Sequence, residues 1–226
     1  MNYAAERRTL LSAVKDMVRL GLVVGSAGNA SVRLPVVRGE ERYLITPAGK
    51  DYAALDDAGL VCVDGDLSSI EGDGVPSSES LLHLAVYRAR PDIGSVFHTH
   101  SVYASALAVA RTPLAPVLDE MTVYLGGQVE VAEYGFPGSE DLASAAVQAL
   151  GDRRAVLLSN HGLVCVAGTP QEALALCTLV ERAAQILLLA TSAGTVTLPP
   201  NDALEAERAV YLMRYAPATR SGQLVQ

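Results

Sequence analysis

Basic residues are scarce in this chain. Against 25 aspartates and glutamates stand 17 lysines and arginines, a net charge of −8, and the basic residues form no run. Nucleic acid, whose phosphates are held by clustered Lys and Arg, therefore finds no electrostatic footprint here. A small anionic substrate stays open, because local donors and a metal matter more there than net charge. Cysteine is sparse too: Cys62, Cys165 and Cys177 are widely separated. They read as small core residues of a reducing compartment, neither a disulfide framework nor zinc ligands. The opening Met1-Asn2-Tyr3-Ala4-Ala5-Glu6-Arg7-Arg8 has no apolar segment of the secretory kind. The most apolar stretch, near Gln185 to Ala190, reads as too short and too flanked by charge to span a bilayer. No Walker loop, dinucleotide fingerprint, internal repeat or low-complexity tract is present. The expectation is a cytoplasmic protein without a nucleic-acid or membrane partner.

What is present is apolar: half of the 226 residues are hydrophobic and 19% charged, enough for one full core. Leu10, Leu11, Val14, Met17, Val18 and Leu20 repeat with helical spacing, with Gly21 as a stop. Short β-like pieces follow around residues 30–34, 42–46 and 60–64, separated by turns. A serine-capped helix from Ser78-Glu79 runs to Arg90, where Pro91 halts it. Next come a strand ending at His98, an alanine-rich helix over about 102–110, a β-like piece at 129–132 and a helix over 139–150. The apolar run Leu163-Val164-Cys165-Val166 reads as a buried strand. A long helix opens at Thr169-Pro170 and reaches Ala193-Gly194. Beyond the Leu198-Pro199-Pro200 linker lies a last helix, about 202–215. Strands mixed with covering helices predict one α/β domain over residues 1–226.

Three of the four histidines fall into two signatures, His98-Thr99-His100 and Asn160-His161-Gly162, each after an apolar run. Residues i and i+2 of a strand point to one side, so His98 and His100 can present two imidazoles to one ion. Three ring nitrogens and a displaceable carboxylate suit a catalytic zinc, or another divalent transition metal, better than a structural site. Glu79, in Pro76-Ser77-Ser78-Glu79, is the candidate carboxylate. It can ligate the ion, leave it and act as a general base, or merely stabilise a helix dipole. His83 shares its helix face and reads as a core residue or a support to the ligands. Gly25-Ser26-Ala27-Gly28-Asn29-Ala30-Ser31, Thr46-Pro47-Ala48-Gly49 and Ser77-Ser78 are donor-rich turns that together suggest a phosphate cradle.

The chain resembles the class II aldolase/adducin-like family nearly end to end. The resemblance runs from Gly25-Ser26-Ala27-Gly28-Asn29-Ala30-Ser31-Val32-Arg33 through Pro76-Ser77-Ser78-Glu79, His98-Thr99-His100 and Asn160-His161-Gly162, with matching spacing between blocks. It implies a three-layer α/β/α sandwich with a largely antiparallel central sheet, assembled as a zinc-dependent homotetramer with sites at subunit interfaces. By that resemblance His98, His100 and His161 ligate zinc and Glu79 is both fourth ligand and acid/base. Gly28, Asn29, Ala48, Gly49, Ser77 and Ser78 hold the substrate phosphate, although Ala48 replaces a hydroxyl-bearing residue. Tyr215 matches a helper tyrosine, and Glu120 stands where the family's aldolases carry another. The C-terminal helix and tail, about 202–226, would close as a lid over a neighbouring subunit's site.

The expected activity is cleavage of a ketose 1-phosphate, of the fuculose 1-phosphate type, into dihydroxyacetone phosphate and an aldehyde. Zinc would stabilise the enediolate, Glu79 would move its protons, and Tyr215 or Glu120 would serve the aldehyde oxygen. Three alternatives use the same scaffold. They are a pentulose-5-phosphate 4-epimerase, a related sugar-phosphate dehydratase or decarboxylase, and a metal-free adducin-like interaction domain. Retention of three histidines and Glu79 argues against the last.

Overall fold

The structure, a computed structural model, describes residues 2–72 and 74–215. Strands β1 (Asn29–Arg33), β2 (Arg42–Ile45), β3 (Val61–Asp64), β4 (Ser69–Glu71), β5 (Ser95–Thr99), β6 (Val131–Ala132), β7 (Ala155–Leu158) and β8 (Gly162–Ala167) form one sheet. Its order is β4-β3-β2-β1-β5-β8-β7-β6. Every neighbouring pair is antiparallel except β6 and β7. The expected largely antiparallel sheet is thus observed.

Helices cover both faces. The alternation of side chains along each strand sorts the apolar residues into two cores. Phe97, Leu157 and Cys165 pack with α1 (Ala4–Arg19), α3 (Val102–Val109) and α6 (Pro170–Ala193). Their neighbours Val96, Val156 and Val164 pack with α2 (Ser80–Ala89) and α5 (Glu140–Leu150). A strand buried on both sides has no polar face to show, which is why residues 155–158 and 163–166 read as unbroken apolar runs. The result is the three-layer α/β/α arrangement.

Local signals place the helix ends. Ser139 accepts from Leu142 N at the start of α5, and Thr169 accepts from Glu172 N just before Pro170 opens α6. Arg7 is buried in α1, donating to the carbonyls of Asn2, Asp57 and Leu60 and pairing with Glu71. The first helix therefore starts well before the apolar repeat that announces it.

Several expectations need correction. A helix α4 (Asp119–Leu125), stopped by Gly126 in the left-handed region, was not apparent in the sequence; at seven residues it is too short to display a periodic stripe. The β-like segment at 129–132 contributes only two strand residues, with Val129 forming an isolated bridge to Leu114. The apolar stretch near 185–190 belongs to a longer one. Helix α6 has 24 residues and a mean hydropathy of 1.7 over its most apolar window, enough by length and composition to cross a membrane. Its buried residues, from Pro170 to Ala184, instead pack in the core. The final helix, α7, spans Asn201–Tyr215, and the tail expected to complete the lid, 216–226, lies outside the described residues.

One contact ties a helix end to the site. Glu181 of α6 accepts from the backbone N–H groups of Tyr103 and Ala104, both at 2.9 Å, in the first turn of α3. Those orphan donors have no partner within their own helix, and α3 begins two residues after His100. Glu181→Ala should lower stability by about 1–2 kcal/mol, as loss of a helix cap does, read as a shift in the urea midpoint. An unchanged midpoint would show that water replaces the carboxylate without loss.

Candidate metal centre

Four side chains from three elements converge at one end of the sheet. His98 is the fourth residue of β5, His100 follows its end, His161 precedes β8, and Glu79 immediately precedes α2. The antiparallel pairing of β5 with β8 sets Thr99 opposite Leu163, bringing the two histidine signatures side by side. Their ligand atoms all lie within 4.8 Å of one another. His98 Nε2 is 2.8 Å from His100 Nε2 and 3.3 Å from His161 Nε2. The Glu79 carboxylate lies 3.2 Å from His98 Nε2 through Oε2 and 3.4 Å from His161 Nε2 through Oε1.

Two backbone features make this crowding possible. Gly28 has φ +72°, and a Cβ there would sit 2.5 Å from the His98 carbonyl oxygen. Gly162 faces the rings, where a Cβ would collide with the Thr99 carbonyl oxygen and approach His100 Cδ2 to 3.0 Å and His98 Cε1 to 3.2 Å. The glycine of Asn160-His161-Gly162 thus leaves room for two imidazoles. Asn160 itself adopts φ +57°, a left-handed conformation that asparagine tolerates, and turns the chain so that His161 faces back.

The electrostatics favour a cation. The Leu163 carbonyl can only accept, so the 3.0 Å contact to His98 Nδ1 puts a hydrogen on that nitrogen and leaves Nε2 free as a donor of electrons. Burial, with the charges of neighbouring histidines, pushes His100 down to about 4, and burial lowers His161 as well, so both rings stay neutral. Burial would raise the Glu79 carboxyl. The bond to His98, the positive charge that His98 and His161 carry once protonated and the Asn29 donor outweigh it and hold the group at about 2, so at neutral pH Glu79 is a carboxylate. Lone pairs and a carboxylate facing one another repel unless a positive charge sits among them. Glu79 Oε1 is also buried without a hydrogen-bond partner, as suits an atom kept for an ion. The donor set fits a divalent transition metal.

Glu79 does not cap its helix: no side-chain cap bond forms, and the carboxylate turns to the histidines. Behind it, Asn29 Nδ2 donates to Glu79 Oε2 at 2.9 Å, while Asn29 Oδ1 contacts His83 Nε2. His83 Nδ1 meets Ser31 Oγ at 2.6 Å, and Ser31 Oγ meets the Tyr87 hydroxyl at 2.8 Å. His83 is buried, and its ring contacts Asn29, the residue that donates to Glu79. Ser31 reads in the sequence only as part of a donor-rich turn, and Tyr87 belongs to no motif. The signal was there in two periods: Asn29, Ser31 and Arg33 alternate along β1, and Glu79, His83 and Tyr87 recur every four residues along α2.

The three donor-rich turns come together beside Glu79. Ser77 N donates to Thr46 O, Ala48 N to Val75 O, and Ala30 N to Thr46 Oγ1. Ser77 Oγ accepts from Glu79 N at 3.2 Å. Gly28, Asn29, Ala48, Gly49, Ser77 and Ser78 thus belong to one loop cluster. The Asn29 amide is engaged by Glu79 and His83, and the Ala48 N–H by Val75. The remaining candidates lie elsewhere. Glu120 pairs with Arg182 at 3.0 Å on an exposed face. Tyr215 packs against Arg154, whose guanidinium lies 4.1 Å from the ring centroid. Arg154 precedes β7 whereas His161 follows its other end, so a four-residue strand, about 13 Å at 3.3 Å per residue, separates the phenol's support from the cluster.

The family model for the class II aldolase and adducin N-terminal domain matches residues 8–188. The chain is 36% identical over 200 residues to a 5-deoxy-D-ribulose 1-phosphate aldolase of Bacillus thuringiensis, covering 88% of this chain and 92% of that protein. It is 37% identical to an L-fuculose phosphate aldolase of Escherichia coli, covering 85% and 86%. The solved structure of an L-fuculose 1-phosphate aldolase superposes with a TM-score of 0.86 at 34% identity, over 92% of this chain and 97% of that one.

The cluster predicts that purified protein binds about one divalent ion per chain, measured by elemental analysis after dialysis. His98→Ala should lose most of that metal, and Gly162→Ala should weaken its retention against a chelator. A His98→Ala protein with full occupancy would show that the four donors do not form the site.

Proposed function

The chain belongs to the class II aldolase and adducin family, and on that premise we propose that it cleaves a ketose 1-phosphate, of the fuculose or deoxyribulose 1-phosphate kind, with zinc. It is a lyase, a ketose-phosphate aldolase that uses a divalent metal. The observation that supports the finer reading is the convergence of Glu79 with His98, His100 and His161, a carboxylate with one free oxygen among three imidazoles. The names of the relatives fit the substrate class.

His98, His100 and His161 would hold the ion with Glu79 as the displaceable fourth donor. When bound, the ion supplies Lewis-acid stabilisation of the negative charge that develops on the substrate oxygens. In cleavage the C3–C4 bond breaks and its electron pair passes to C3, conjugated with the C2 carbonyl as an enediolate. The C4 hydroxyl loses a proton as it becomes the aldehyde, and C3 gains one. Glu79 is positioned for the proton at C3. Its Oε2 is held by Asn29, and its Oε1 has no partner and can carry the proton. Gly28, Asn29, Ala48, Gly49, Ser77 and Ser78 form the phosphate pocket in this reading. The loop contacts that join them to Glu79 keep the phosphate and the base at a fixed separation.

Tyr215 or Glu120 serves the C4 oxygen from a neighbouring subunit of a cytoplasmic homotetramer. Supporting this, Tyr215 is anchored on Arg154 at the end of β7 away from its own cluster. Val24, Val75, Phe136 and Met213 expose between 73% and 84% of their surface, as side chains awaiting a subunit contact do. Helix α7 and the tail over 202–226 would then form a lid that excludes water. The buried free thiols of Cys62, Cys165 and Cys177 suit a reducing cytoplasm.

Two experiments test this reading. Glu79→Gln should keep the fold and most of the metal but lose exchange of the C3 proton of dihydroxyacetone phosphate with solvent, followed by NMR in deuterated water. Unchanged exchange would remove Glu79 from the chemistry. Tyr215→Phe should reduce condensation of dihydroxyacetone phosphate with lactaldehyde or acetaldehyde far more than it reduces exchange. Equal losses, or none, would refute the aldehyde-side role. A C4-epimerised pentulose 5-phosphate in place of a released aldehyde would convert the assignment to an epimerase.

A further inference from the structure

The buried hydrogen bonds behind Glu79 have only one consistent direction. A carboxylate accepts, so Asn29 Nδ2 donates to Glu79 Oε2 and Asn29 Oδ1 is left facing His83. That oxygen also only accepts, so His83 Nε2 carries a hydrogen. His83 is buried, which pushes its imidazolium down to about 3 and keeps the ring neutral. A neutral ring with its hydrogen on Nε2 must accept at Nδ1, so the Ser31 hydroxyl gives its single hydrogen to His83. Ser31 Oγ is then an acceptor, and the Tyr87 hydroxyl is the donor that meets it.

Tyr87 is fixed from outside the chain of bonds. Its ring stacks on Tyr43 with centroids 4.9 Å apart, and the Arg33 guanidinium lies 4.9 Å over it. Arg33 Nη2 donates to the Tyr87 carbonyl at 2.6 Å. Burial raises the phenol far above neutral pH, so it stays a donor.

We propose that Tyr87, Ser31 and His83 are positioning residues for the lyase reaction, a one-way hydrogen-bond relay that fixes the Asn29 amide and through it the Glu79 carboxylate. Four donors in series point at the carboxylate, and reversing any one bond leaves two hydrogens or two lone pairs facing each other. Asn29 therefore cannot turn its oxygen to Glu79, and Oε2 stays bonded to the amide beside His98 while Oε1, without a hydrogen-bond partner, faces His161. None of the three residues touches the substrate or the ion. Their effect is to select which carboxylate oxygen works and in what direction it points. This inference rests on the reading of Glu79 as the group that moves the C3 proton.

The relay makes a prediction independent of activity. With four histidines in the chain, ¹⁵N imidazole spectra of the zinc-loaded protein can be assigned by single substitutions. His83 should be the Nε2–H tautomer and His98 the Nδ1–H tautomer. An Nδ1–H His83 overturns the relay.

Kinetically, His83→Leu should retain zinc and KM while slowing C3 proton exchange by about 10- to 100-fold, the usual cost of removing a group that orients a ligand. His83→Gln, whose amide can still donate to Asn29 Oδ1, should recover much of that rate. A role in stability alone would lower the unfolding midpoint of both variants and leave the exchange rate of the folded protein unchanged, and that result overturns the proposal. Should His83→Leu fail to fold, Tyr87→Phe decides, because it removes only the first donor. Slower exchange with zinc retained supports the relay, and wild-type exchange overturns it. Wild-type protein that does not exchange the C3 proton at all defeats the reading of Glu79 itself. An active wild type matched by an equally active His83→Leu defeats the relay alone.

Discussion

Electron-rich atoms that face one another across a few ångströms are the constraint around which this fold is arranged. Three imidazole nitrogens and a carboxylate meet within 4.8 Å, and water is largely excluded: His98 is fully buried and Glu79 nearly so. Such an arrangement is costly without a cation, because both desolvation and mutual repulsion oppose it. The scaffold therefore has to impose it. Antiparallel pairing of β5 and β8 aligns the histidine signatures, Gly28 and Gly162 remove the side chains that would separate them, and a left-handed Asn160 reverses the chain into His161. Glu181 secures the helix that leaves His100.

The layers divide the work unequally. The sheet supplies the histidines, so their separation is set by a hydrogen-bonded ladder with little freedom. Glu79 comes from the start of a helix in the layer above, reached through a loop whose backbone is bound to the turn after β2. A carboxylate mounted this way is placed by the loop and by Asn29, independently of the ladder that spaces the rings. The sheet sets the imidazoles and the layer above it sets the base.

Much of this was legible in the chain because the decisive signals are local. His98-Thr99-His100 uses the two-residue period of a strand, Asn160-His161-Gly162 uses one turn, and the buried strands announce themselves as unbroken apolar runs. What escaped notice was short or depended on two elements at once. Helix α4 has seven residues and no stripe to detect. The buried Arg7 satisfies carbonyls 50 and 53 residues away, a match that no local pattern contains. Asn29 lies in a donor-rich turn, and the turn alone does not show that its side-chain amide is also shared between Glu79 and His83. Ser31 and Tyr87 carry no signature singly, and their meaning appears only when a strand's period and a helix's period are laid against each other.

That juxtaposition works like a vernier. Alternate residues on a strand advance by about 6.6 Å, whereas every fourth residue on a helix advances by about 6.0 Å. Asn29, Ser31 and Arg33 can thus meet Glu79, His83 and Tyr87 rung by rung, but the two scales drift apart by about 0.6 Å at each step. The first rung is closed by a short amide and the second by a hydroxyl. By the third, the slack is taken up by arginine, the longest and most adaptable side chain of the set, which reaches past the Tyr87 ring to its carbonyl. A β1–α2 ladder of this kind holds accurate spacing for only a few residues, and the chain has placed Glu79 at the end where the two scales coincide.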